Sequence, residues 1–359
     1  MEADQVHTIT QRNRYRISTI QNLSEQAYKN KYGMVSFLIG NFSCVAISEP
    51  VSAHFVLRSC LEKGQMTLVF RHMVGNGSIF APERIWRVRR KINALALAPK
   101  HINKFVRVYA RNSQVLVDKL AVYVGQVRTQ DDLKSLLELL IRYSGGYSET
   151  ELREESLVLL LASIDTTVSV SGFASVLLSQ HLDVQDKVYE EIKEVFDDFD
   201  QTITINDLNK LKYLEAVLKE TMRLYPTTPL IMRKCQTDLK LPSGLVLNEG
   251  CQAIINIWGL HRNPKYWGPD ADKFRPERFL DATPEQQTAY IPFSTGPRNC
   301  AGSRIGIISL KTTLVSILRK YRLKPAASFI YNEQNPLRVK HTLVTKHLDN
   351  FQVQLEHRI

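Results

Sequence analysis

A mainly helical fold with a small β-sheet region is predicted by three features of the sequence. Long central stretches carry apolar residues at three- and four-residue spacing, short β-branched runs lie near the N-terminus and again after Pro226, and Pro and Gly punctuate the chain from there to about Cys300. At 359 residues, 44% hydrophobic and 23% charged, the chain can bury a sizeable core and is unlike a disordered, collagen-like or many-pass membrane protein. No internal repeat or low-complexity linker divides it.

Taken in order, Val35–Leu38 and Cys44–Ile47 predict a hairpin around a Gly-Asn-Phe-Ser turn. Helical spacing predicts Asn103–Leu120, Glu149–Gln180, Asp183–Phe196 and Asp207–Leu224, the last closed by Pro226. Leu239–Val246 and Cys251–Ile257 read as short strands around a Pro-Ser-Gly turn. Asn263–Tyr290 is expected to be mostly irregular, and a last helix is expected over Arg304–Tyr321. The division is therefore a strand-bearing part, 1–70, and a helical part, 71–359, within one domain.

Lys and Arg outnumber Asp and Glu by 47 to 36, a net charge of +11, which favours an acidic partner: nucleic acid, an anionic membrane surface or an acidic protein. The five cysteines, Cys44, Cys60, Cys235, Cys251 and Cys300, form no C-x-x-C pair. Neither a disulfide scaffold nor a zinc ribbon is indicated, which fits a reducing compartment. The polar N-terminus holds no signal-peptide core or membrane anchor, and the longest apolar run, Leu157–Ala162, is too short to cross a bilayer and predicts the centre of a buried helix.

Chemistry concentrates in Phe293-Ser-Thr-Gly-Pro-Arg-Asn-Cys-Ala-Gly302, just ahead of the last predicted helix. A lone cysteine is ordinarily an inert core thiol. A cysteine before a helix, however, faces unpaired backbone N–H groups and the positive dipole end, which favour a metal-binding thiolate. Gly296 and Gly302 would let the backbone lie against a flat cofactor, and Arg298 could pair with a carboxylate on it.

Phe293, Gly296, Arg298, Cys300 and Gly302 resemble, at all five positions, the cysteine loop of the cytochrome P-450 haem-thiolate monooxygenases. The likeness is greatest to animal microsomal, family-four-like members. The resemblance implies haem b as cofactor, with Cys300 as its axial ligand. It also implies that Glu220 and Arg223, three apart on a helix, join Arg278 of Pro276-Glu277-Arg278-Phe279 in a structural lock. Asp165 and Thr166 match the family's catalytic acid–alcohol pair, which kinks a long helix and delivers protons, although Ser163 stands where the family usually has Gly. Trp86 and Arg90 match a Trp-x-x-x-Arg that binds haem propionate, and Arg233 matches a further propionate position. The remaining cations of Arg84–Lys91, otherwise readable as a solvated basic face or a nucleic-acid patch, suit an acidic electron donor.

The implied function is insertion of one atom of dioxygen into an apolar small molecule, a lipid, hormone or xenobiotic. Electrons would come from NADPH-cytochrome P-450 reductase or a similar flavoprotein, at the cytoplasmic face of the endoplasmic reticulum; no nucleic acid is implied. The resemblance runs over about Tyr32–Leu120 and from about Leu133 onward. Only 74 residues separate Arg90 from Asp165, on the order of 65 too few for the family's helices E to H. An internal deletion is therefore expected near 122–132, exposing apolar faces and opening the oxygen-binding side. The alternative is an inactive haem-binding or interaction protein derived by that loss.

Overall fold

Helix α1 (Ser18–Lys29), strands β1 (Met34–Ile39) and β2 (Phe42–Ile47) and helix α2 (Pro50–Ser59) open a computed structural model that describes residues 18–121, 136–196, 198, 201–326, 337–342 and 344–358. The hairpin turns at Gly40-Asn41, tighter than expected, because Gly40 takes φ +57°, a left-handed backbone that glycine adopts without a side-chain clash. Glu49 caps α2 by accepting from the N–H groups of Val51 and Ser52, with Pro50 at the first helical position.

The short α3 (Arg71–Val74) leads to α4 (Glu83–Ala96), α5 (Ile102–Ala121), α6 (Leu136–Ser144) and the 32-residue α7 (Glu149–Gln180). A Ser148/Glu151 capping box starts α7. Helix α8 (Leu182–Val195) follows. The helix predicted over Asp207–Leu224 is two, α9 (Ile205–Lys210) and α10 (Lys212–Leu224). They part at Leu211 because the buried Lys311 ammonium donates to the carbonyls of Leu208 (2.8 Å) and Leu211 (3.0 Å) and to Glu215 Oε2 (2.8 Å).

Strands β3 (Leu230–Lys234), β4 (Leu239–Lys240), β5 (Val246–Leu247) and β6 (Gln252–Asn256) come next. The Pro-rich stretch after them contains α11 (Ile257–Leu260), α12 (Pro264–Trp267), a 3₁₀ turn at Pro276–Phe279 and α13 (Pro284–Ala289). The last helix, α14 (Ser303–Lys320), runs into β7 (Tyr321–Pro325), followed by β8 (Val339–His341), β9 (Thr345–His347) and β10 (Val353–His357).

The largest sheet has the order β1-β2-β6-β3, so strands from opposite ends of the chain share it: β6 runs parallel to β2 and antiparallel to β3. All five residues of β6 are buried. The main core joins the second half of α7, with Phe173, Leu177 and Leu178, to α8, α10 and α14. A second core lies between α2 and the inner strands.

Helix α7 corrects two expectations. The run Leu157–Ala162 is not at a buried helix centre: Leu160, Ile164 and Val168 are 55%, 52% and 59% exposed, and Leu157 and Leu161 face solvent too. Hydropathy fixes what a side chain prefers, not whether a neighbour exists to cover it. By length and composition α7 is also apolar enough to cross a membrane, its hydropathy being spread along the helix rather than concentrated in one unbroken apolar run. Its second half is nevertheless a core helix, with residues from Ser169 to Ser179 largely buried. The suspected junction at 122–132 lies outside the described residues.

Candidate haem-thiolate site

The cysteine loop is held open by its backbone. Cys300 N–H donates to Phe293 O (2.9 Å) and Asn299 N–H to Gly296 O (3.1 Å), while Ser294 sits at φ +62°, a conformation a non-glycine residue adopts only under constraint. Gly296, at φ +73°, has a different use from the one expected: a Cβ there would lie 2.7 Å from Leu57 O, so its missing side chain lets the loop rest on the backbone of α2. Gly302 leaves the sulfur side open, the nearest atom to a Cβ being Cys300 Sγ at 4.0 Å.

The other four cysteines are free and buried, whereas Cys300 is free and exposed just ahead of α14. Protein packed around its sulfur pushes the thiol up, against the Gly302 N–H and the Arg90 guanidinium, which pull it down. Phe293 anchors the loop against the main core.

The basic run Arg84–Lys91 divides three ways. Arg84, Arg87 and Lys91 are exposed. Arg89 is buried and ties α4 to α7, donating to Glu154 Oε2 at 2.9 Å and to Asn76 O at 2.6 Å, with Glu155 3.5 Å away. Arg90 donates to Asn299 O (3.0 Å) and Oδ1 (2.6 Å), gripping the cysteine loop. Trp86, one turn earlier, lies against Arg298, whose guanidinium is 4.6 Å from the ring centroid and donates to Ala81 O at 2.8 Å.

Arg298 keeps Nε and Nη1 buried without a partner, and Arg233 likewise keeps Nε. Burial holds both guanidiniums down to about 10, and at Arg233 the neighbouring Arg298 adds to the effect. Burying a cationic donor without an acceptor is costly. Orphaned guanidinium N–H groups on Arg298, two residues before Cys300, and on Arg233 suit a ligand that brings both a thiolate-binding metal and carboxylates, and haem b carries both.

Behind the loop, Glu220, Arg223 and Arg278 meet in full burial. Arg223 donates from Nε to Glu220 Oε2 (2.6 Å) and from Nη2 to Oε1 (2.8 Å), and Arg278 Nε reaches the same Oε1 at 3.3 Å. Arg223 also donates to His261 O and Ala271 O, and Arg278 to Trp267 O. His261, which carries no sequence signal, relays this lock to the loop: its Nε2 accepts from Ile291 N–H at 2.9 Å, two residues before Phe293. Burial, then the Arg223 and Arg262 charges, hold its imidazole down to about 3, so it stays the neutral acceptor this bond requires.

Asp165 and Thr166 sit on unbroken α-helix, with no hydrogen bond or ion pair to the cysteine loop among the described residues. Thr166 donates to Ala162 O at 2.6 Å, a back-bond of the kind that bends helices, and Asp165 Oδ1 faces Lys346 Nζ at 3.3 Å.

The cytochrome P450 family pattern matches residues 126–349. The chain is 38% identical over 188 residues to probable cytochrome P450 313a1 of Drosophila melanogaster, covering 52% of this chain and 38% of that protein. It is 37% identical over 203 residues to cytochrome P450 4V2 of Mus musculus, covering 55% and 38%. With probable cytochrome P450 313a3 of Drosophila melanogaster it shares 34% identity over 245 residues, 66% and 48%. The chain thus spans about four-tenths to one-half of the length of these relatives.

Proposed function

The chain belongs to the cytochrome P450 family, and from that premise we propose that it is a haem-thiolate monooxygenase acting on an apolar small molecule. The observation that carries the reading is the exposed residue Cys300 just before α14, two residues after Arg298, whose buried Nε and Nη1 lack acceptors. Cys300 would hold the iron, with the Gly302 N–H and Arg90 favouring its thiolate. Trp86, Arg233 and Arg298 would hold the propionates, Arg90 adding its charge from the loop side. Bound haem supplies the dioxygen-activating chemistry.

The remaining roles belong to the protein alone. Glu220, Arg223 and Arg278 fix the segment that presents the cysteine, with Phe293 packing it down and Gly296 seating it on α2. Thr166 offers a hydroxyl and Asp165 a carboxylate along α7, where a proton can pass from solvent through Asp165 to the Thr166 hydroxyl. The exposed Arg84, Arg87 and Lys91 suit an acidic flavoprotein reductase. The apolar face of α7 suits an apolar substrate, and the resemblance to microsomal members supports a place at the endoplasmic reticulum membrane.

Replacing Cys300 by Ala is expected to abolish the thiolate-type Soret band of the reduced, carbon-monoxide-bound protein; its survival would reject the ligand assignment. Replacing Thr166 by Ala should leave that band intact and divert reductase electrons to peroxide, so an unchanged product-to-peroxide ratio would remove the hydroxyl from the proton path. A normal band with no turnover of any apolar substrate would reject the monooxygenase reading.

A further inference from the structure

Three of the four buried cysteines lie together in the core between α2 and the inner strands. Cys60 is the residue that ends α2, its N–H donating to Val56 O, and Cys235 directly follows the last residue of β3. Their sulfurs stand 3.9 Å apart, and the Cys235 sulfur is also in hydrogen-bonding contact with that of Cys251. The backbone gathers these residues from distant parts of the chain. Cys235 N–H donates to Cys251 O and Gly250 N–H to Cys235 O, both at 2.9 Å, so two residues face one in a bulge for which Gly250 supplies φ +82°. Lys234 N–H donates to Glu62 O at 3.2 Å, which draws the segment after α2 alongside β3 and brings Cys60 to Cys235.

A free cysteine in such a core is ordinarily an inert small hydrophobe. Two features set Cys60 and Cys235 apart. Each closes its element, and element ends fray at little cost, so a small oxidant needs only a local opening to reach them. The two sulfurs also divide their chemistry. The hydrogen bond with the Cys235 thiol lowers Cys60 from its ordinary value, with burial opposing and the Arg233 guanidinium adding its pull, whereas hydrogen bonds with Cys251 and Cys60 push Cys235 up. One sulfur of the pair thus favours the thiolate and the other keeps its proton. Cys44 is the contrast: it lies in the core on the other face of the sheet, turns its thiol to Phe42 O at 3.6 Å, and is pushed up by its burial.

We propose that Cys60 and Cys235 are an oxidative modification site, a resting dithiol that hydrogen peroxide closes into a disulfide. The Cys60 thiolate attacks one peroxide oxygen, the O–O bond breaks, and the departing hydroxide takes up a proton and leaves as water, so that Cys60 becomes a sulfenic acid. The Cys235 sulfur then attacks the Cys60 sulfur, the S–OH bond breaks, and the Cys235 proton leaves with that hydroxide as a second water. The two thiols give up two electrons and two protons, and one peroxide becomes two waters. From 3.9 Å the sulfurs must close by about 2 Å to reach bonding distance. The bond ties the end of α2, where Leu57 O seats Gly296 of the cysteine loop, to the end of β3, across 175 positions of sequence.

The test treats the reduced wild-type chain with hydrogen peroxide, alkylates the remaining thiols in denaturant and maps the peptides by mass spectrometry. A Cys60–Cys235 crosslink that dithiothreitol reverses is expected, with Cys44 still alkylated. The crosslink should persist in Cys251→Ser and vanish in Cys60→Ser. Because it shortens the unfolded chain's reach over so long a loop, oxidation should slow native-state proteolysis of the wild type by at least about tenfold and leave Cys60→Ser unchanged. Free Cys60 and Cys235 after peroxide has oxidised the exposed Cys300 would overturn the assignment, as would a crosslink between Cys235 and Cys251, or oxidation of Cys44 at the same rate. Equal proteolysis of crosslinked and reduced wild type would reject the bracing role. The wild-type map decides the pairing even if a serine variant fails to fold. The crosslink requires no cofactor, so a chain that takes up no haem leaves it standing, and its absence leaves the Cys300 assignment untouched.

Discussion

Helices α10 and α7 both bear residues of the proposed site, yet they are held in opposite ways. In α10, Glu220 and Arg223 are wholly buried, and each of their charges is met by side chain or backbone. The middle of α7 shows solvent a row of aliphatic side chains; there Asp165 bonds outward to Lys346 and Thr166 back to its own helix. The charged lock of α10 is thus satisfied within the described residues, whereas the apolar face of α7 is left uncovered by them.

The largest effect should come from breaking the first side. Glu220→Gln leaves the buried Arg223 guanidinium without a counter-charge and Arg278 with Asp270 alone, and a loss of about 3–5 kcal/mol in unfolding free energy is expected. Denaturant titration of the haem-free chain would read it, and a loss below about 1 kcal/mol would show that the carbonyl acceptors alone hold the lock.

Acid should act next, through the joint between α10 and α14. Burial alone would push the Glu215 carboxyl up, but Lys311 and Lys219 hold it at about 2. A carboxyl lowered on folding gives stability that is complete above its unfolded value near 4.5 and is lost as pH falls towards 2. After allowance for partial exposure, wild type should exceed Glu215→Gln by about 2 kcal/mol at neutral pH. The gap should close over that acid window; a gap independent of pH would mean that the carboxylate charge is not its source.

The smallest effect belongs to α7. Ile164→Ser or Val168→Ser should change unfolding free energy by no more than about 0.5 kcal/mol, as at other exposed sites. A loss of about 2 kcal/mol would show that this face is covered in solution and would erase the contrast between the two helices.

The two sides also differed in how far the sequence disclosed them. The cysteine loop is contiguous, and Glu220 and Arg223 stand one helical turn apart, so local spacing carries the information. Asn103–Leu120 and Glu149–Gln180 emerged within a residue or two because their apolar periodicity persists for many turns. Arg89 was hidden inside a run of like charge, since its acceptors Glu154 and Glu155 lie more than 60 residues away. His261 sits beside a turn, 30 residues from the Ile291 N–H that its ring accepts, so no local spacing marks it. The exposed Leu160 and Ile164 failed for the converse reason, as an apolar run reports a preference for cover and carries no record of the covering element.

The insertion of β6 between β2 and β3 also sets an order of events during synthesis. The β1–β2 hairpin is complete by Ile47, but its inner edge has no permanent neighbour until the chain has been made as far as Asn256. For some two hundred residues of elongation that edge is an open hydrogen-bonding template, the kind of surface on which nascent chains pair with one another. Ribosome-bound chains halted before Gln252 should therefore be the aggregation-prone population, and chaperone occupancy should fall once β6 has emerged and closed the sheet.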